Sequence, residues 1–398
     1  MKKLLLTTIL FCGVLSIYAS TRVEFTLDGK NRVYVLYSPS FANESETYSL
    51  AVLLHGIGQT IETFMDEQTA QNIADNNSTY LVLPQALPEQ DPDIISAAGY
   101  YNSAFQTSIS KSAWGAGVSV EIDDIIADPN MKLLFCMLYP TICSAGKLEL
   151  NANVDDVKLI NTIIDQLTSD SEIYIDNDRI YMAGLSLGGA MAYKYTFSED
   201  PQINKVAIVS GFVGASIDTT GVLNIPIMVL HSKTDETIPY EGGSFNGSIE
   251  NTVKSWINKN AHSDPNIYQI GSGVEGTTIY DYSESPRVLF YKIEEASHTL
   301  SDVHGFDPNT EIWKFFNNIP LSVDDAKTDK LDIFPNPADD ILYTSEDGMY
   351  SITDLSGRIL KKGYTDEYSI DLKGLSRGRY IVGVTTDTET YKAVLLKK

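Results

Sequence analysis

The chain has 398 residues, of which 43% are hydrophobic and 10% are aromatic, a balance typical of globular proteins and not of disordered ones. Its formal net charge is −24, and an acidic surface of this kind repels the phosphate backbone that nucleic-acid-binding proteins neutralise with Lys and Arg. We therefore expect no nucleic acid partner. The length allows one large domain and one small one.

The first residues predict an export signal. Residues 1–20 contain two lysines, then an apolar run, then small residues near Ala19. This pattern is typical of a secretory signal peptide, and the apolar run is too short for a transmembrane helix. The alternative is a buried N-terminal strand. We expect no membrane span elsewhere, because no other stretch approaches the roughly 18 apolar residues that a span needs.

Residues 23–38 predict a β-hairpin, because Asp28 and Gly29 separate two runs of alternating polarity. Strands and helices then alternate along the chain. The predicted strands are 48–56, 79–84, 179–184, 205–211, 225–231 and 287–293, and the predicted helices lie near 61–75, 154–167, 188–197, 249–259 and 308–317. This alternation predicts an α/β fold with a mostly parallel sheet and helices on both faces.

A long mixed segment, residues 98–152, interrupts this alternation and is too long for a simple connection. It is either a lid over a pocket or an inserted subdomain. Within it, Cys136 and Cys143 are seven positions apart, which in an oxidising compartment predicts a local disulfide, with two buried free thiols as the alternative. No histidine or second cysteine pair lies nearby, so we expect no metal site. We expect no cofactor either.

The composition changes near the end of the chain. Residues 321–330 are polar and predict a linker, and residues 331–398 contain short strands and turns without a convincing helix. The predicted organisation is therefore a signal peptide, a large α/β domain over residues 21–320, the linker, and a small all-β sandwich domain.

A serine lies among glycines at the end of the predicted strand 179–184. Gly184, Ser186 and Gly188 form a G-x-S-x-G pattern between this strand and the helix that follows, which is the context of a nucleophile elbow. We expect glycine at both flanking positions because side chains there would collide across the tight turn. The alternative is a glycine-rich turn without chemistry.

A serine nucleophile needs a histidine base and an acid that orients the base. In this architecture the chain order is Ser, then Asp or Glu, then His. His298 follows the last predicted strand and is the predicted base, with His304 as the alternative. Asp235 follows the predicted strand 225–231 and is the predicted acid. His262 is expected to be solvated and His231 to be structural.

The sequence LLHGIGQT, residues 53–60, predicts the oxyanion hole. It ends the strand that precedes the first helix of the sheet, where a backbone N–H faces the developing negative charge. Gly56 permits a close approach, and the N–H groups of Ile57 and Leu187 are the predicted donors. His55 precedes the serine, so it is a predicted positioning residue and not the base.

The order and spacing of these motifs resemble those of the polyhydroxybutyrate depolymerase-like esterases, which include the feruloyl and acetylxylan esterases of carbohydrate esterase family one. The resemblance covers about residues 23–318 and includes LLHGIGQTIETF, DNDRIYMAGLSLGGAMAY, HSKTDETIPY and SHT. It implies an α/β-hydrolase fold with Ser186, Asp235 and His298 as the triad. Ile57 and Leu300 depart from the residues common in the family, and both positions touch the substrate pocket.

The tail has a resemblance of its own. The sequences LDIFPNPADDILYT, YSITDLSGRILKKG and IDLKGLSRGRYIVGV are similar to the C-terminal sorting domain of the type IX secretion system of Bacteroidetes. The alternative is a carbohydrate-binding β-sandwich. The resemblance implies the secretion machinery as a partner, with the protein reaching the outer-membrane surface or the medium.

Together these features predict a secreted serine ester hydrolase that acts on feruloyl or acetyl esters of plant-wall polysaccharides or oligosaccharides. Three alternatives stay open. They are a short-chain polyester depolymerase, a serine peptidase of the prolyl oligopeptidase kind, and a catalytically inactive surface-binding protein.

Overall fold

The structure is a computed structural model, and it describes residues 20–219, 224–243, 246–270, 276–319, 331–353, 359–386 and 390–398. The predicted signal peptide, apart from Ser20, and the predicted linker 321–330 lie outside these described residues.

Twelve strands and eleven helices precede the C-terminal region in the described part of the chain. The strands are β1 (Ser20–Leu27), β2 (Lys30–Tyr37), β3 (Tyr48–Leu54), β4 (Thr79–Pro84), β5 (Ser119–Glu121), β6 (Lys147–Glu149), β7 (Ile175–Leu185), β8 (Lys205–Val209), β9 (Ile227–Ser232), β10 (Asn266–Ile270), β11 (Thr277–Tyr282) and β12 (Val288–Ile293). The helices are α1 (Ile61–Phe64), α2 (Glu67–Asn77), α3 (Pro92–Tyr101), α4 (Ser103–Ile109), α5 (Ile122–Ile125), α6 (Pro129–Leu138), α7 (Pro140–Ala145), α8 (Asp156–Ser169), α9 (Leu187–Thr196), α10 (Ile249–Lys259) and α11 (Pro308–Phe316).

The main sheet has ten strands in the order β1-β2-β4-β3-β7-β8-β9-β12-β11-β10. The central strands from β4 to β12 pair in parallel, and antiparallel strands extend both edges. Every residue of β3 is buried, because helices cover the sheet on both sides. Helices α8, α9 and α10 pack on one face, and α2 and α11 pack on the other. The predicted α/β fold class is confirmed.

The helix predicted over residues 61–75 is two helices. Thr60 caps α1 and Asp66 caps α2 by accepting a hydrogen bond from the Thr69 N–H at 2.9 Å. The apolar spacing continues across both helices, so periodicity alone does not reveal the new start at Asp66.

Residues 98–152 contain short helices and the β5–β6 ribbon, and they share the core of the main domain. Trp114 and Phe135 are fully buried in the same apolar cluster as the central strands. At the base of the segment, the buried Glu89 carboxylate accepts the Asn151 N–H at 2.7 Å, and the Asn151 side chain donates to the Ala113 carbonyl at 2.7 Å. The segment is therefore packed into the main domain, and the two predicted interpretations, lid and inserted subdomain, stay predictions.

Cys136 and Cys143 are bonded in a disulfide that joins α6 to α7, with 5.3 Å between their Cα atoms. Within the part of the chain that the structure describes, no helix is both long and apolar enough to cross a bilayer.

The C-terminal region is all-β. Its strands are β13 (Ile333–Phe334), β14 (Ile341–Thr344), β15 (Met349–Thr353), β16 (Ile359–Tyr364), β17 (Ser369–Asp371), β18 (Gly378–Thr385) and β19 (Thr390–Lys397). They form a three-stranded and a four-stranded sheet, and side chains of both sheets share one apolar core that includes Leu342, Ile370, Ile352 and Val382. Alternation of exposed and buried residues along β14 and β15 produces this core.

Candidate active site

Ser186 lies between β7 and α9 in a strained backbone conformation. Its φ is +56° and its ψ is −119°, a region that residues with a side chain rarely adopt. A serine at a helix start ordinarily caps the helix, but the Ser186 hydroxyl makes no capping hydrogen bond. The turn therefore leaves Oγ uncommitted at the carboxyl edge of the sheet, the edge at which ligands bind in open α/β folds.

Two close backbone approaches explain the flanking glycines. A Cβ atom on Gly184 would lie 2.2 Å from the Gly188 carbonyl oxygen, so the collision across the turn occurs as expected. For Gly188 the expected cause is wrong. A Cβ atom there would lie 2.2 Å from the Leu54 carbonyl oxygen and 2.6 Å from that of His55, so the neighbouring strand β3 imposes this glycine.

Asp235 and His298 form a hydrogen-bonded pair. His298 Nδ1 donates to Asp235 Oδ2 at 2.8 Å, and Asp235 Oδ1 accepts the backbone N–H groups of Thr237 and Ile238, both at 2.9 Å. Burial alone raises the pKa of Asp235, but the hydrogen bonds and the nearby imidazoles outweigh burial and lower this pKa below its usual range. The carboxylate is therefore ionised and fixed in orientation at neutral pH.

The two loops that carry this pair are tied to each other. They follow the parallel neighbours β9 and β12, and the Ala296 N–H donates to Ser232 Oγ at 2.9 Å. Inside the histidine loop, the Ser297 N–H and hydroxyl both bond the Asp302 carboxylate. Leu300 adopts a φ of +55° with its side chain buried. These contacts fix His298, whose side chain is 20% exposed.

The remaining atoms of the expected triad are not joined by a hydrogen bond. His298 Nε2 is buried and has no hydrogen-bond partner among the described residues. Ser186 Oγ makes no capping hydrogen bond to α9. Catalytic hydrogen bonds are often long or poorly aligned in proteins without a bound substrate. The structure thus brings Asp235 and His298 together directly, and the roles predicted for the three residues stay predictions.

The other histidines differ in their surroundings. His304 makes no hydrogen bond to Asp235 and lies with Asp302 beside the His298 loop. His262 was expected to be solvated, and this expectation is wrong. Its side chain is fully shielded, with Nδ1 3.4 Å from Glu284 Oε2 and its ring near Tyr282, because β11 and the end of α10 enclose it.

The loop after β3 lies against the serine turn. A Cβ atom on Gly56 would lie 3.6 Å from Ser186 Cβ, so a glycine permits the close approach. The Gly56 N–H donates to Gln59 Oε1 at 2.7 Å and is occupied. By contrast, the N–H groups of Ile57 and Leu187 make no hydrogen bond within the described part of the chain. These are the two donors that the sequence predicts for an oxyanion.

His55 holds this loop in place as a neutral imidazole. Its Nδ1 donates to the Gly56 carbonyl at 2.8 Å, and its Nε2 accepts the Ala86 N–H at 3.1 Å. Burial lowers the pKa of His55 to about 4, so the ring is uncharged at neutral pH. Trp114 Nε1 donates to the His55 carbonyl at 2.8 Å and connects the inserted segment to the loop.

Sequence reasoning missed three side chains that support this loop. They are Gln59, which accepts from Gly56, Gln85, whose amide lies 3.1 Å from His55 Nε2, and Trp114. The only signal for Trp114 is its aromatic character within the long segment, and nothing in the sequence distinguishes the two glutamines.

A surface cavity of about 570 Å³ borders His298. Three carboxylate side chains, those of Glu236, Glu295 and Asp302, contribute to its wall. This charge disfavours anionic groups in the cavity. Within the described ranges, no cluster of histidine, cysteine and carboxylate side chains is suitable for a metal ion.

Comparison with known proteins found two family models that match parts of the chain. Residues 148–267 match the Phospholipase/Carboxylesterase family model, and residues 332–398 match the Secretion system C-terminal sorting domain. The chain thus has one segment similar to a hydrolase family, within the α/β domain, and a second, C-terminal segment similar to a sorting-domain family. The matched hydrolase segment includes both the Ser186 turn and Asp235.

Curated proteins that the chain resembles include fungal esterases. The chain is 26% identical over 42% of its length to "Probable feruloyl esterase C" of Aspergillus niger, and 24% identical to the protein of the same name from Aspergillus flavus. In both cases the chain spans 59% of the relative's length. Among solved structures, the acetyl xylan esterase from Aspergillus awamori is similar with a TM-score of 0.40 and 11% identity, over 75% of this chain and 99% of that one.

Proposed function

We propose that the protein is a secreted serine carboxylic-ester hydrolase with Ser186 as nucleophile, His298 as general base and Asp235 as the orienting acid. The observation that carries the proposal is the Asp235–His298 hydrogen bond, which leaves His298 Nε2 buried and unpartnered at the sheet edge where Ser186 Oγ is also uncommitted. A neutral imidazole held through Nδ1 is a base at Nε2.

The reaction follows from these positions. His298 Nε2 takes the Ser186 proton as Oγ bonds to the ester carbonyl carbon, and Asp235 stabilises the imidazolium. The carbonyl oxygen becomes an oxyanion that accepts the N–H groups of Ile57 and Leu187. His298 then gives its proton to the leaving alcohol as the ester C–O bond breaks. Water repeats the sequence on the acyl-enzyme and releases the acid.

The proposed substrates are feruloyl or acetyl esters of plant-wall polysaccharides. Relatives named feruloyl esterase support the aromatic acyl group. A second cavity of about 820 Å³ supports it too, because its wall contains the aromatic side chains of Phe64, Phe306 and Trp313 among polar ones. Its wall also includes Leu185 and Leu300, which lie one and two positions from Ser186 and His298, although Ser186 and His298 do not themselves line it. Aromatic side chains in a cavity of this size suit a small aromatic ligand.

The sorting domain supports action outside the cell. Residues 332–398 match a secretion sorting domain, and we propose the type IX secretion machinery as its partner and the cell surface or medium of a Bacteroidetes-type bacterium as the destination. A polymer too large to enter a cell is a reasonable substrate for such an enzyme.

A turnover panel tests the proposal. Purified protein is assayed with methyl ferulate, acetylated xylan, 4-nitrophenyl acetate and a short polyester. We expect hydrolysis of methyl ferulate, and we expect Ser186→Ala to reduce every rate at least a thousandfold. Ser210→Ala is the matched control, because Ser210 also has a positive φ and a buried, unpartnered hydroxyl at the end of the adjacent strand β8. Equal activity of the Ser186→Ala protein would overturn the assignment.

One observation favours polyester hydrolysis as the second candidate. Helix α6 exposes an unusual number of apolar side chains, namely Met131, Leu133, Leu134, Met137 and Leu138. Exposed apolar groups of this extent suit contact with a hydrophobic solid more than with a hydrated polysaccharide. Hydrolysis of the polyester without hydrolysis of methyl ferulate would select this candidate.

A further inference from the structure

A second histidine lies against the proposed catalytic carboxylate. His231, on β9, is fully buried, and its Nε2 is 3.5 Å from Asp235 Oδ2 and 2.9 Å from the Ile238 carbonyl oxygen. A carbonyl oxygen only accepts hydrogen bonds, so Nε2 carries the hydrogen. His231 Nδ1 is therefore bare, and it is buried without a partner among the described residues.

We propose that His231 is a positioning residue for Asp235. The proposal rests on the proposed function and adds to it. Asp235 Oδ1 accepts the N–H of Ile238, while the carbonyl of the same Ile238 accepts the His231 N–H. His231 thus braces the turn that holds Oδ1, and its Nε2 lies 3.5 Å from Oδ2, the oxygen that bonds His298.

The neutral form of His231 is the one that suits this role. Burial lowers the pKa of His231, and a second proton would have to go to Nδ1, which has no acceptor. The ionisable side chains around this ring are Asp235, His298, Tyr240, Lys292 and Glu250. A charged His231 would compete with His298 for the carboxylate, whereas a neutral His231 bonded to the Ile238 carbonyl holds the turn and leaves Oδ2 to His298.

A buried histidine that only fills space in the core would be equally buried. The test therefore separates the positioning role of the His231 N–H from a role in core packing. His231→Leu removes the N–H at similar volume, and His231→Gln keeps an N–H donor. We expect His231→Leu to lower kcat for 4-nitrophenyl acetate about tenfold with KM unchanged, and His231→Gln to restore most of the lost rate. Thr277→Val is the control, because Thr277 is equally buried with an unpartnered hydroxyl and lies on β11, which β12 separates from β9.

A second readout needs no turnover. The proton shared by His298 Nδ1 and Asp235 is expected to give a low-field proton NMR signal. We expect this signal to move or broaden in the His231→Leu protein and to keep its position in the His231→Gln and Thr277→Val proteins. Should the His231→Leu protein not fold, His231→Asn replaces it with the same expectation, since its shorter amide does not reach the Ile238 carbonyl.

Two outcomes would overturn the proposal. In one, the Leu variant keeps the wild-type kcat and NMR signal. In the other, the Leu and Gln variants lose kcat equally, in parallel with their thermal midpoints, as a packing role requires. These outcomes differ from a failure of the proposed function itself. If the proposed function is wrong, the Ser186→Ala protein keeps its ester hydrolase activity, whatever NMR signal the His231 variants show.

Discussion

At Ser186 the backbone holds a conformation that a serine adopts only when its surroundings enforce it. The enforcing contacts are backbone-to-backbone approaches at Gly184 and Gly188, together with the Ser186 N–H bond to the Val209 carbonyl at 2.9 Å. Strain of this kind persists at functional sites because the rest of the fold stabilises it. A substitution that adds even a single Cβ atom at Gly184 or Gly188 should therefore affect both stability and catalysis.

Replacing Gly188 with alanine tests this point. The added Cβ would lie 2.2 Å from the Leu54 carbonyl oxygen, so the end of β3 must move and carry the Ile57 N–H with it. We expect Gly188→Ala to lower the free energy of unfolding by about 1–3 kcal/mol, as overpacking does, and to reduce kcat. Urea denaturation and ester turnover measure the two effects. Gly247→Ala is the control, because a Cβ there meets no atom within 4 Å. Equal effects of both substitutions would contradict the account.

His55 makes the stability of the fold depend on pH. In the unfolded chain the pKa of His55 is near 6.5, and in the folded protein burial lowers this pKa to about 4. Between these two pH values the unfolded state therefore binds more protons than the folded state. The free energy of unfolding should fall as the pH is lowered from 6.5 to 4, by at most about 3 kcal/mol from this residue. His55→Gln should reduce that loss, measured by urea denaturation at pH 7 and pH 4.5. An unchanged difference between the two pH values would refute the prediction.

At the scale of elements, segment 98–152 and the loop after β3 are connected by a hydrogen bond. Trp114 belongs to the segment, and its Nε1 donates to the carbonyl of His55 at the start of that loop. The base of the insertion is in turn fixed by the buried Glu89 and Asn151. The insertion therefore acts as a support for the loop after β3.

Trp114→Phe measures that support. The substitution keeps an aromatic ring but leaves the buried His55 carbonyl without its partner. We expect a loss of about 1–3 kcal/mol in stability and a several-fold lower kcat. Trp256→Phe is a matched control, because Trp256 is as deeply buried and its Nε1 has no hydrogen-bond partner within the described residues. A Trp114→Phe protein with wild-type kcat would exclude this role.

At the scale of the whole molecule, periodicity and chain order predicted the parallel centre of the sheet and the covering helices. They did so because β3, β7, β8 and β9 are buried on both faces and carry continuous apolar runs. The edge strand β10 was not predicted, since most of its residues are exposed and only Tyr268 and Ile270 are half-buried against the core. The sequence pattern of a strand carries little information when the strand lies at the edge of the sheet and pairs only with β11.

The candidate site also contains residues that the sequence predicts and residues that it does not. Ser186, Asp235 and His298 follow buried strands, so their meeting at one edge is predictable from sequence, and the Asp235–His298 hydrogen bond agrees with that prediction. The supports at Gln59, Gln85 and Trp114 are not predictable, because each reaches the site across a long sequence separation or through a side-chain rotamer. Such contacts depend on tertiary packing.

The most direct test of the central claim is the site of covalent labelling by an alkyl fluorophosphonate, read by peptide mass spectrometry. We predict one adduct, on the peptide that contains Ser186, formed rapidly by the wild-type protein and at least a hundredfold more slowly by the His298→Ala protein. An adduct on a different serine, or labelling of Ser186 at the same rate without His298, would contradict the claim that these two side chains act together.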